Sequence, residues 1–190
     1  ASLKQNRNDP ETVIYLNNAT ASNGSSLKIA VSVPIGSNPN VAQEILRGVA
    51  QAQSDINNSG GINSAKLQVE IVNDDNDPKI VKEVAETLTK DASILAVIGH
   101  NASNASLEAA PIYQQEKLVM VTPTSFANNL SGFGSYIFRT VPNIKVMAQP
   151  LAEYAVKTAG TTNIAVCYDS QAPDNVSFKD EFVAALTAAG

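Results

Sequence analysis

The chain has no tryptophan, one cysteine and one histidine, and each scarcity removes a class of function. A lone cysteine, Cys167, can form neither an internal disulfide nor the thiolate cage of a structural zinc site. A lone histidine, His100, leaves no second imidazole for a histidine-based metal site. With aromatics at 5% of 190 residues, valine, isoleucine, leucine and alanine have to fill the core. No apolar run approaches the roughly 20 residues of a membrane span, so stable membrane insertion is not expected. The net charge of −5 has the wrong sign for a nucleic-acid footprint. Walker, Gly-x-Gly-x-x-Gly and Gly-x-Ser-x-Gly motifs are missing as well. Metal, cofactor and catalytic turnover are therefore all absent from the expectation.

What is there is a globular pattern, with 44% hydrophobic and 16% charged residues, ample for a core. Its centre is Ile94 to Ser106. Five apolar residues, Ile94 to Ile98, lead into Gly99, a small polar turn and a helical pattern. A short continuous apolar run of this kind reads as a strand buried on both faces of a parallel sheet. The turn that follows lies at the strand's carboxyl end and opens a helix. In open α/β sheets small ligands bind at that end, and helix-start N–H groups suit a carboxylate.

The remaining units repeat the same grammar. Residues 1–26 form an extension, a short helix started by Asp9 and Pro10 followed by a Ser/Asn/Gly linker. The helix either packs on the body or is the tail of a preceding segment. Ala1 to Asn6 carries no apolar signal core, so a mature start or a cut from a longer chain is expected. Strands are read at Leu27–Val33, Lys66–Val72, Leu118–Thr122, Ser135–Thr140 and Asn163–Tyr168. Helices are read at Val41–Asn57, with Ile45, Val49, Ala52 and Ile56 inward, and at Lys79–Lys90, with Val81, Val84, Ala85 and Leu88 inward. Further helices follow at Ser106–Gln115, Asn143–Lys157 and Val176–Ala189. Alternating strands and helices with short connections predict a doubly wound parallel α/β sheet.

Several side chains are candidates for chemistry. His100 is either a hydrogen bonder at a strand end or a ligand contact. Asp74, Asp75 and Asp77 resemble an acidic metal pocket, but read more simply as a solvated loop whose last member caps a helix. A phospho-receiver arrangement is excluded, because the first and third strands end in Val33–Pro34 and Gly99–His100 rather than in carboxylates. Ser103, Thr124 and Ser125 are hydroxyls at the ends of adjacent strands with no base beside them. Nucleophilic catalysis is unsupported, whereas hydroxyls with loop N–H groups suit a small anion.

Glu44 to Asn63, with its Asp-Ile-Asn and Gly-Gly-Ile turn, resembles the first helix of type I periplasmic binding proteins. Asp74–Lys79, Val97–His100, Met120–Pro123 and Phe138–Thr140 resemble further segments of that family in the same order. The match covers residues 27–190 and is nearest the leucine/isoleucine/valine-binding branch. The resemblance implies two α/β lobes closing on a ligand: lobe one over residues 27–140 is largely present, and lobe two begins at 141 and is truncated. It implies capture of an amino acid or related small carboxylate for an ABC importer, outside the cytoplasm. The alternative is a sensory domain of the same fold attached to a signalling module. The partners expected are accordingly a small ligand and a transporter permease or signalling module. The family's ligand serine falls on Ser103, and its residues after the Pro turn fall on Thr124 and Phe126. Phe126 keeps the backbone N–H without the hydroxyl. The family's two aromatics fall on Val41 and near Pro173. The ligand-binding candidates are Ser103, Asn104, Thr124, Ser125, Phe126 and, in the first loop, Asn40.

Overall fold

A computed structural model describes residues 8–22 and 24–190; the first seven residues of the extension and Asn23 of the linker lie outside it. Five parallel strands, β1 (Ser26–Val33), β2 (Lys66–Asn73), β3 (Ile94–Ile98), β4 (Val119–Thr122) and β5 (Ile137–Arg139), make one sheet in the order β2-β1-β3-β4-β5. The doubly wound reading is therefore the observed fold. Helix α2 (Pro39–Asn58) returns the chain from β1 across one face, where Ala42, Leu46 and Ala50 bury against Val31, Val33 and Val69. Helices α3 (Pro78–Leu88) and α4 (Ser103–Glu116) cover the other face, packing Val81, Ala85, Ala109 and Tyr113 on Ala30, Val97 and Met120. The winding direction reverses between β1 and β3, and their carboxyl ends form the crevice where sheets of this type take ligands.

Local chemistry explains how β3 fits. The pairing shifts from Lys28↔Ile94 to Ala30↔Val97, so β3 carries one extra residue there. That bulge lets Ile94 and Val97, three apart, both face the α3/α4 core despite the two-residue period of a strand. At its carboxyl end Gly99 takes φ +133°, and a Cβ there would stand 2.6 Å from the Ser32 carbonyl oxygen. Only glycine tolerates both conditions.

The extension helix α1 (Pro10–Ala21) packs on the body, with Ile14 fully buried. Asp9 stands at its N-cap, and its carboxylate accepts the Thr12 hydroxyl. Asn18 of α1 pairs with Val69 on the free edge of β2: its Oδ1 accepts Val69 N–H at 2.9 Å and its Nδ2 donates to Val69 O at 2.8 Å. Asn57 of α2 does the same for Leu67, at 2.7 and 3.0 Å. Two amides thus stand in for the missing neighbour strand at Leu67 and Val69, the first half of an otherwise open edge.

Three expectations change. The buried stripe of α2 is Ala42, Leu46, Ala50, Gln53 and Asn57, while Ala52 is exposed and Ile45, Val49 and Ile56 only flank it. Gln53 and Asn57 occupy apolar-looking helix positions because the β2 backbone needs their amides. Residues 163–168 are not a strand, since among the described residues no strand lies beside them to complete a ladder. The helix expected at Asn143–Lys157 is α5 (Lys145–Glu153), which loosens into a π turn at Tyr154–Thr158 a few residues after Pro150, whose ring removes an N–H from the ladder. Helix α6 (Pro173–Ala189) pairs with α5 around a separate cluster of Ala148, Ala152 and Phe182. No helix among the described residues is long and apolar enough to cross a membrane.

Candidate functional site

Nine polar side chains are buried among the described residues, and seven of them, Ser32, Asp74, His100, Ser103, Ser106, Thr122 and Ser125, gather at the carboxyl end of the sheet. Buried polar groups require partners, and here they find them in one another and in the neighbouring main chain, across four chain segments. Asp75 Oδ1 accepts Gly36 N–H at 2.8 Å and Ser37 N–H at 3.0 Å, tying the β1 loop to the β2 loop. Asn76 Oδ1 accepts Ala102 N–H at 3.2 Å and carries the tie on to the β3 loop. Asp77 caps α3 through Lys79 and Ile80 N–H, as its position before Pro78 implied.

Asp74 departs from the solvated-loop reading. It is fully buried, because β2 ends beside Ser32 and His100 and turns its carboxylate inward. Its Oδ2 lies 2.7 Å from His100 Nδ1 and accepts the Ser32 hydroxyl at 2.8 Å. Burial raises the cost of its charge, but the hydrogen bonds from His100, Asn76 N–H and Ser32 outweigh it and hold its pKa below the ordinary carboxylate value. His100 Nε2 is 3.2 Å from the Tyr113 hydroxyl, and the two rings stack. Burial, reinforced by the Asp74 charge, pushes the Tyr113 pKa far up, so the phenol keeps its proton. His100 is thus a hydrogen-bonded strut at the strand end.

The β3 and β4 loops are joined by hydroxyls. The His100 carbonyl accepts from Thr122 Oγ1 at 2.8 Å and Ser106 Oγ at 3.1 Å. Ser125 Oγ lies 2.6 Å from Ser106 Oγ, and Thr124 Oγ1 donates to the Asn101 carbonyl at 2.7 Å. Ser103 Oγ accepts N–H groups from both Phe126, at 3.1 Å, and Ala127, at 3.3 Å.

The six sequence candidates divide by depth. Ser103 and Ser125 are buried, and Asn104 is exposed on the first turn of α4. Asn40 and Thr124 line a hollow of about 590 Å³ with Val41, Ile45 and Ile98. Phe126 walls a second hollow of about 380 Å³, facing Met147, Tyr168, Asp174 and Lys179 of the segment after residue 140. The β4 loop therefore brings Ser103, Thr124, Ser125 and Phe126 together, while Asn40 stands apart across the first hollow. Sequence reasoning missed Thr122 and Ser106, which look like ordinary strand and helix residues. The one available signal was a polar residue at each expected core position. Among the described residues no group of His, Cys, Asp and Glu could hold a metal ion.

This geometry can be set beside known proteins. The periplasmic binding protein model matches residues 26–190. The Leu/Ile/Val-binding protein of Escherichia coli is 35% identical over 125 residues, covering 65% of this chain and 34% of that protein. A leucine-, isoleucine-, valine-, threonine- and alanine-binding protein of Pseudomonas aeruginosa is 30% identical over 148 residues, covering 77% of this chain and 39% of that protein. An ABC transporter substrate-binding protein of Desulfitobacterium hafniense, solved in complex with Leu, superposes with a TM-score of 0.77 at 28% identity, over 87% of this chain and 48% of that one. The chain thus spans between a third and a half of the length of these relatives. With a family match across most of its residues and a parallel sheet wound in the same way, it belongs to the type I periplasmic binding proteins and resembles their Leu/Ile/Val-binding branch.

Proposed function

We propose that this chain forms lobe one (residues 27–140) and the start of lobe two (from 141) of an extracytoplasmic solute-binding protein. It captures an amino acid or related small carboxylate for an ABC importer, without turnover. The observation that carries this reading is the joined β3 and β4 loops, in which Ser103, at the opening of α4, is hydrogen-bonded to the backbone of Phe126, a residue that walls the 380 Å³ hollow. A helix start offers free N–H groups and the positive end of the helix dipole to an anion. Phe126, Met147 and Tyr168 give the same hollow an apolar wall for a side chain. The relatives named for binding branched-chain amino acids support the same ligand class. Ser125 and Asn104 are assigned to the loops that frame this site, while Thr124 and Asn40 line the other, 590 Å³ hollow and are assigned to its rim.

Calorimetric titration of the full-length protein with the common L-amino acids and small carboxylates tests the reading. Saturable binding of one class is expected. Ser103→Ala should weaken it by about 1.5–3 kcal/mol, the worth of a hydrogen bond to a charged group. Absence of heat with every compound would overturn it.

A further inference from the structure

Thr122 faces no hollow described above, yet it stands at the head of a chain of hydrogen bonds that ends on Ser103. Its hydroxyl donates to the His100 carbonyl at 2.8 Å, pinning the end of β4 to the loop after β3. Its Oγ1 also accepts Ser125 N–H at 3.2 Å, which folds the turn 122–125 back on itself. That turn delivers Phe126 and Ala127 N–H to Ser103 Oγ. A serine oxygen has two acceptor positions and one proton. With both acceptor positions taken by backbone N–H groups, Ser103 has only its O–H left to offer. It is a donor, oriented before any ligand arrives.

We propose that Thr122 is a positioning residue for ligand capture: through the turn it folds, it holds the Ser103 oxygen saturated by backbone N–H groups, so that its hydroxyl is preset as the donor the capture reading assigns to it. The inference rests on the capture reading above and deepens it. Preorganised donors cost less to order on binding than free hydroxyls, so loss of the Thr122 hydroxyl weakens capture although that group never touches ligand.

The test is a double-mutant cycle on the full-length protein, titrated with the common L-amino acids and benzoate at a temperature where circular dichroism shows every variant folded. Thr122→Val, nearly isosteric, should weaken binding of the carboxylate that is captured about 10-fold, and Thr122→Ser should restore it. In a Ser103→Ala background the same Thr122→Val change should cost less than about twofold, because the group it positions is gone. A merely structural role would give equal losses in both backgrounds, and that outcome overturns the proposal. In the ligand-free protein, amide exchange at Phe126 and Ala127 should be faster in Thr122→Val and restored in Thr122→Ser; unchanged exchange overturns the proposal as well. Wild-type protein that binds none of the probes overturns the capture reading and this inference with it. Wild-type binding that Thr122→Val leaves intact overturns this inference alone.

Discussion

Phe126 N–H donates to Ser103 Oγ at 3.1 Å, joining residues 23 positions apart and making the loops after β3 and β4 one body. The same oxygen accepts Ala127 N–H, so a single hydroxyl satisfies two main-chain donors. Ser103→Ala should leave both without that acceptor and destabilise the ligand-free protein by about 1–3 kcal/mol. Urea unfolding of the two proteins measures this; an unchanged midpoint would mean that the turn finds other partners.

The pH dependence follows from Asp74. Its pKa is depressed in the folded protein from an ordinary 3.8, so its contribution to stability is fully present above the ordinary value. That contribution is lost as pH falls through the lower, folded value. Asp74→Asn should therefore be less stable than wild type near pH 6, and should lose less than wild type between pH 5 and pH 3. Denaturant unfolding across this range decides it, with parallel curves counting against the buried carboxylate.

The inward face of α2 can be tested by paired truncations. Leu46 is fully buried, and Leu46→Ala should cost about 2–5 kcal/mol. Ile45, which flanks the stripe and lines the 590 Å³ hollow, should cost well under half as much on truncation to alanine. Equal losses would restore the stripe expected from spacing alone.

Asn18 makes the clearest edge contact. Asn18→Ala strips the Val69 backbone of both its side-chain hydrogen bonds and frees the Gln53 amide from one of its two acceptors. A loss of roughly 1–3 kcal/mol is expected, with faster amide exchange at Val69 and an undisturbed amide at Val97 in the sheet centre. Unaltered exchange at Val69 would show that α1 is not what protects this edge.

Some of this was legible from local patterns. Short apolar runs bounded by Pro34, Pro123 and Gly99 mark where strands end, and Asp77–Pro78 marks a helix start, because both signals lie within a few residues of what they control. Thus the order of elements as far as residue 140, the parallel sheet and the neighbourhood of Ser103, Thr124 and Ser125 could be read in advance. The inward face of α2 could not. Gln53 and Asn57 look like solvent residues until β2 is seen to be an edge whose backbone they complete. Residues 163–168 have strand composition, yet a strand is a relation between two segments and composition describes one.

The sequence by itself determined the βα alternation, the glycine at the end of β3 and the hydroxyl types near the crevice, since periodicity and turn chemistry act over a few residues. Tertiary structure alone decided what those groups do. Asp74 and His100 are 26 residues apart and Thr122 and His100 are 22 apart, and they meet only because β3 inserts between β1 and β4. Burial then turns each meeting into an obligation, because a polar group removed from water must find its partner inside the protein. Strand order thus makes a solvated-looking aspartate into a buried anchor, and an ordinary strand threonine into the head of the hydrogen-bond chain that ends on Ser103.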